Sequence, residues 1–319
     1  MIDITLQNFQ TEVLQASLQQ PVLLDIWAPW CGPCRTLGPM LEKLEAAYEG
    51  RFVLAKLNSD EQPEIAGQLS QMFGVRSIPF CVMFVGGQPV DGFVGALPQA
   101  QIQEFLDKHV PSPDELAAEG EVLEAEEAAA AGDEDTALAK LQEAVAIDPS
   151  NDEARLEYVR LLLQRGLSEE ARTAFLPIAS KAEGPLADAR IAAFGHYLAA
   201  CEAAPRLRAP QELAQAIAAN RRDFDARFEL AQQHFAAGRF TEAMDELLEI
   251  IMRDKKWQDE LARRTYVAIL EVMSKPAPKA PAAKAGEPKS TLEVAGRAVV
   301  TPADPLLDQY RRKLSMALF

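Results

Sequence analysis

At Pro111 the chain changes character. Upstream, short β-rich runs alternate with helical patterns; downstream, Ala, Glu, Leu and Arg dominate and β-branching is scarce. The first pattern asks for a sheet flanked by helices, the second for helices packed on helices, and one core cannot serve both. With 319 residues the chain is long enough for two domains. Hydrophobic residues make up 48% and charged residues 25%, which excludes a wholly disordered chain.

Within residues 1–110, Val22–Trp27, Phe52–Leu57 and Phe80–Val85 read as buried strands, and Gly86-Gly87 turns the third into a strand over Val90–Val94. Helical patterns cover Cys34–Tyr48 and Pro98–His109. This is an α/β domain with a mixed central sheet flanked by helices.

Only four cysteines are present, Cys31, Cys34, Cys81 and Cys201, too few for a disulfide framework in a chain of this size. Two of them stand in Trp30-Cys31-Gly32-Pro33-Cys34, where a strand passes into a helix. At a helix N-terminus, unpaired N–H groups and the macrodipole favour a thiolate at Cys31. The spacing puts Cys34 on the same turn, able to resolve a mixed disulfide formed by Cys31. Half a zinc site is the competing reading, but Cys81, Cys201 and three scattered histidines offer no second pair of ligands. The pair is therefore expected to cycle with no metal and no organic cofactor.

The segment Asp25-Ile26-Trp27-Ala28-Pro29-Trp30-Cys31-Gly32-Pro33-Cys34 resembles the active-site segment of thioredoxins. The likeness continues through Lys56, Ile78-Pro79 and Gly95-Ala96, and so covers about residues 1–110. It implies a thioredoxin fold, a cis peptide before Pro79 facing the cysteines, and a peptide site shaped by Trp30, Ile78, Pro79 and Gly95. It also implies a buried Asp25 that accepts the proton of Cys34, with Lys56 as its neighbour. An ordinary strand-end acid and a solvated lysine are the plainer readings of those two. Ser77 and Phe80 depart from the glycine and threonine usual in thioredoxins, and both flank the peptide-binding loop. Cys81 reads as a small core hydrophobe rather than a redox group.

The second region repeats. Gly132 and Gly166 stand 34 residues apart, as do Ala137 and Ala171, and Leu141 and Phe175; Gly238, Ala243 and Leu247 reproduce the set. Such sets resemble tetratricopeptide repeats: one over 118–151, a second over 152–185, a degenerate pair over 186–222 and a third over 223–256. A capping helix follows over 257–273. The resemblance implies a groove for a protein partner, although an array that only spaces or dimerises the first domain has the same periodicity. Arg155, Arg227 and His234 are groove candidates, and His196 reads as a packing or surface residue.

Residues 274–303 are rich in Pro, Ala and Lys and read as an extended linker. Asp304-Pro305 then offers an N-cap and a first helical proline, opening an amphipathic helix over 304–319. Its apolar face is expected to carry Leu306, Tyr310, Leu314 and Leu318, with Arg311 and Arg312 beside it. The helix either folds back to cap the repeats or docks into a groove on another protein.

Together the three parts resemble the chaperedoxin (CnoX/YbbN-like) family. That resemblance implies a protein-disulfide reductase and holdase that forms mixed disulfides with unfolding client proteins. It further implies transfer of clients to a GroEL-type chaperonin through the C-terminal helix. Regeneration by a thioredoxin-reductase-like partner is expected if the surfaces fit. A non-catalytic adaptor with a vestigial CxxC, and a dedicated reductase of one protein, are the alternatives. The net charge of −16 speaks against nucleic acid and anionic lipid as partners. No apolar run reaches the roughly 18 residues of a membrane span, and Met1–Thr5 lacks a signal peptide's basic start, so a cytoplasmic location is expected.

Overall fold

The computed structural model describes residues 2–274 and 304–318. All but the first residue of the expected linker over 274–303 lies outside the described residues. The chain divides into two compact units, the first running through Pro113 and the second starting at Asp114.

The first unit is built on a five-stranded sheet of order β1-β3-β2-β4-β5. These strands are β1 Ile2–Asp3, β2 Val22–Trp27, β3 Val53–Asn58, β4 Phe80–Val85 and β5 Gln88–Val94. β1 and β2 pair parallel with β3, whereas β4 runs antiparallel to both β2 and β5. Successive side chains leave a strand on opposite faces, so an apolar run without alternation must be covered on both sides. Val22, Leu24 and Ile26 of β2 pack with Ile65, Ala66 and Leu69 of α2 (Pro63–Phe73). Leu23 instead joins Leu37, Leu41 and Leu44 of α1 (Cys34–Ala47) and Ile102 and Leu106 of α3 (Gln99–Asp107). The result is a three-layer thioredoxin fold.

Four elements of the first unit are absent from the strand and helix assignment made above: β1, a π-helical turn over Gln10–Gln15, a 3₁₀ turn over Ala16–Leu18, and α2. α2 nevertheless carries ordinary boundary signals. Pro63 opens it, Glu64 sits in its first turn, and Gly74 closes it in the left-handed region with φ 67°.

The second unit is all helical: α4 Pro113–Ala130, α5 Glu134–Ile147, α6 Asp152–Gln164, α7 Ser168–Phe175, α8 Ala189–Ala203, α9 Pro210–Ala219, α10 Phe224–Ala236, α11 Phe240–Ile251 and α12 Leu261–Met273. A last helix, α13, spans Pro305–Leu318. The repeated glycines sit at equivalent turns with φ of 81°, 74° and 70° at Gly132, Gly166 and Gly238. Each ends its helix the same way. The Gly166 N–H donates to the Leu163 carbonyl at 3.0 Å and that of Leu167 to Leu162 at 2.9 Å, with matching pairs at Gly132 and Gly238. Asp133, Asn151 and Asp223 then cap the N-termini of α5, α6 and α10 through their side chains. Ala137, Ala171 and Ala243 are buried where paired helices approach, and Leu141, Phe175 and Leu247 fill the space beside them.

Candidate active site

β2 ends at Trp27 and α1 starts at Cys34, so the connecting loop delivers Trp30 and Cys31 to the helix N-terminus. Cys31 and Cys34 form a disulfide with Cα atoms 5.4 Å apart. Cys31 lies just ahead of the helix rather than in its first turn, and Pro33 takes the N-cap position with φ −61°. The Cys34 amide donates to Cys31 Sγ at 3.2 Å, one of the donors that a helix start leaves without an internal partner. After reduction the same N–H and the helix dipole favour a thiolate on Cys31.

Both sulfur residues are almost covered, Cys31 at 3% exposure and Cys34 at 6%, in a small apolar patch with Ala28, Trp27 and Ile78. Trp30 is 68% exposed beside them, its indole N–H donating to Asp60 at 3.0 Å. The Ile78–Pro79 peptide is cis. The Pro79 carbonyl accepts the Gly95 N–H at 2.8 Å, tying the cis turn to the end of β5.

In the sheet, Asp25 of β2 stands in register with Lys56 of β3 and Cys81 of β4. Opposed residues in a sheet share a face, so the three side chains form one row on the α1 side, with Leu23. Lys56 Nζ reaches Glu42 of α1 at 2.5 Å. A Cβ at Gly38 would lie 3.5 Å from that ammonium, which places the row against the early turns of α1. Burial pushes the Asp25 carboxyl up to about 6, a rise opposed by the Cys81 thiol and by Lys56 and reinforced by Glu42.

The structure brings together Cys31, Cys34 and Trp30 with the apolar edge of Ile78. It also sets Asp25 opposite Lys56 in the sheet, and the Gly95 N–H donates to the Pro79 carbonyl. Three contributors escape sequence reasoning: Cys81 as a partner of Asp25, Glu42 as a partner of Lys56, and Asp60 as a partner of Trp30. Strand register and loop proximity decide these, and neither has a local signature. Phe80 follows Pro79 directly and so flanks the cis turn in the chain, while its ring is buried in the sheet core, edge-on to Phe73 with centroids 5.6 Å apart.

In the helical unit, two groove candidates are fasteners instead. Arg155 is buried and donates to the Pro149 and Ala174 carbonyls at 3.0 and 3.2 Å. Arg227 is likewise buried, bonding Glu246 at 2.5 Å. Arg227 meets its charge with Glu246 at a helix junction, and Arg155 is turned inward onto backbone carbonyls with its Nε unpartnered among the described residues. The third candidate, His234, accepts from Arg239 Nε at 2.9 Å, and burial lowers its proton affinity, as it does for His196.

α13 is seated on α11 and α12. Leu307, Tyr310 and Leu314 are buried there, with Ala317 and Leu318 packed alongside. The apolar face thus begins at Leu307; Leu306, expected there, is 40% exposed, because three- and four-residue spacings to Tyr310 fit a helix equally well. Tyr266 Oη donates to the Tyr310 carbonyl at 2.8 Å, and Lys313 reaches Asp245 at 3.1 Å. Arg311 bonds Ser274 at 3.3 Å and Arg312 is exposed.

Among the described residues, no group of His, Cys, Asp or Glu is arranged to hold a metal ion, and no helix is long and apolar enough to cross a membrane.

Comparison with known proteins agrees with this geometry. The thioredoxin family matches residues 1–108, and two tetratricopeptide repeat families match residues 128–194 and 203–286. A thioredoxin of Chlorobaculum thiosulfatiphilum is 50% identical over 104 residues, which are 33% of this chain and 91% of that protein. Thioredoxin 1 of Nostoc sp. is 44% identical over 107 residues, 34% of this chain and 94% of its own. Thioredoxin 2 of Chlorobaculum tepidum is 49% identical over 104 residues, 33% of this chain and 90% of its own. With its CxxC disulfide carried on a thioredoxin fold, the chain belongs to the thioredoxin family as a thiol-disulfide oxidoreductase joined to tetratricopeptide repeats.

Proposed function

We propose that the protein is a protein-disulfide reductase and redox-protective holdase that holds unfolding clients as mixed disulfides and passes them to a GroEL-type chaperonin. The observation that carries the redox half is the Cys31–Cys34 pair at the start of α1, flanked by exposed Trp30 and the cis turn at Pro79. In the reduced enzyme the Cys31 thiolate attacks a client disulfide; one client sulfur bonds to Cys31 and the other leaves as a thiolate. Cys34 then gives its proton to Asp25, and its thiolate attacks Cys31 Sγ. The Cys31–Cys34 disulfide re-forms and the client leaves as a thiolate that takes a proton from solvent. A carboxylate that titrates near 6 suits this exchange, being ionised at neutral pH yet basic enough to hold the proton. A thioredoxin-reductase-like partner returns the dithiol.

The repeat array supports the client-binding half, since such arrays present extended surfaces to other proteins. α13 is the docking element for the chaperonin in this reading. A specific observation favours a second reading of that helix, as a cap. Tyr310 and Leu314 are buried on the repeats, so docking through them requires α13 to leave its seat. The outward residues Leu306, Arg312 and Met316 stay accessible without release.

A Cys34→Ser variant tests the proposal, used as a trap in oxidatively stressed lysate with and without residues 304–319. Mixed disulfides with many proteins, and chaperonin recovered only with the tail, are expected. One dominant partner and no chaperonin would mean a dedicated reductase, and no trapped protein would leave an adaptor.

A further inference from the structure

Cys81 is placed unlike any other cysteine of the chain. It lies on β4 directly opposite Asp25, is fully buried, and its Sγ is 3.7 Å from Asp25 Oδ1. A buried carboxylate needs donors, and an unmet one is costly. Around Asp25 the charged and titratable groups are Lys56 from β3 and Glu42 from α1, with Cys34 at the start of the same helix. The Lys56 ammonium donates to Glu42. The thiol of Cys81 is the side-chain donor that meets the Asp25 carboxylate.

We propose that Cys81 is a positioning residue for Asp25: its S–H donates to the carboxylate and holds it oriented and charged as the proton acceptor for Cys34. The proposal rests on the reading of Asp25 as that acceptor. Cys81 takes no part in thiol exchange itself. Burial, together with the neighbouring carboxylate, pushes its thiol well above the ordinary range, so it keeps its proton and remains a donor throughout the cycle. A hydrogen bond made to the charged form of an acid favours that form, so losing it moves the carboxyl further up. In sequence Cys81 is indistinguishable from a core hydrophobe, and only its register with Asp25 gives it a polar task.

The test uses the full chain with Cys81→Val, Cys81→Ala and Cys81→Ser. Asp25 is titrated directly in the oxidised protein through its carboxyl carbon shift, and single-turnover reduction of insulin is followed against pH in the reduced one. With Val and Ala, the Asp25 midpoint and the acid limb of the rate profile are expected to rise by about half a pH unit or more. Serine keeps a donor and should restore the wild-type midpoint. An unmoved midpoint in the Val and Ala variants overturns the proposal, even if their rates fall through packing. A serine variant shifted as far as valine overturns it too, since donation would then be irrelevant. Failure of the underlying reading looks different. The carboxyl midpoint would then follow the donor while the rate profile of Asp25→Asn matched wild type.

Discussion

In the proposed cycle Cys31 and Asp25 do separate jobs, and substitutions divide them. Cys31→Ser should abolish insulin-disulfide turnover, because Cys34 alone cannot close the intramolecular disulfide that releases a client, Cys81 is fully buried and burial pushes the Cys201 thiol up to about 12. Residual turnover within a few-fold of wild type would contradict that assignment. Asp25 offers a thermodynamic test instead. Its carboxyl is raised by burial from 3.8 to about 6, so the folded state binds this proton more tightly than the unfolded chain does. The stabilisation it gives is complete below the unfolded value and is lost as pH rises through 6. Between about pH 4 and about pH 8, the stability of Asp25→Ala relative to wild type should therefore improve by on the order of 3 kcal/mol. Parallel denaturation curves across that range would show that Asp25 is not buried as described. The sequence contains the CxxC, the tryptophan and Pro79 in plain view because their meaning is local. Cys81, Glu42 and Asp60 acquire theirs from register and from loops meeting in space, which no spacing rule encodes.

Elements were legible to the degree that their boundaries are chemically marked. β2 and β4 begin and end where the apolar runs do, and the repeated Gly and Ala positions fall at equivalent turns and contacts in the helical unit. β1 has two residues, too few for a pattern; α2 is the exception, marked at both ends by Pro63 and Gly74 yet not assigned from the sequence. The helix stops also make a paired prediction. Gly166 has φ 74°, so Gly166→Ala should cost about 1 kcal/mol and lower the repeat-domain melting temperature by a few degrees. Gly120 lies inside α4 with nothing within 4 Å of an added Cβ, and Gly120→Ala should stabilise by several tenths of a kcal/mol or more. Equal effects of the two in thermal melts would refute the turn geometry. At α13, Leu314→Ala removes one of its three buried anchors, and truncations of this kind cost about 2–5 kcal/mol. Amide exchange across Pro305–Leu318 should accelerate at least about tenfold, and unchanged exchange would mean that the helix is not held through this face.

For the molecule as a whole, the division of labour follows from the two kinds of core. The sheet unit carries the two sulfurs, a buried acid and a cis-proline turn. The helical unit carries 32 acidic and 18 basic residues over 111–273, a balance that speaks against phosphate-bearing partners and accords with the proposed protein contacts. Composition and periodicity forecast that split, but not the seat of α13, since an amphipathic helix carries the same face whether its partner is cis or trans. The account stands on Cys31 being the residue that meets a client. The most direct measurement incubates reduced Cys34→Ser chain with an unfolding disulfide-bearing client and maps the adduct by peptide mass. A single mixed disulfide at Cys31, with Cys81 and Cys201 unmodified, is predicted. An adduct at Cys201 or Cys81, or none at Cys31 while the wild-type chain still reduces the client, would contradict the account.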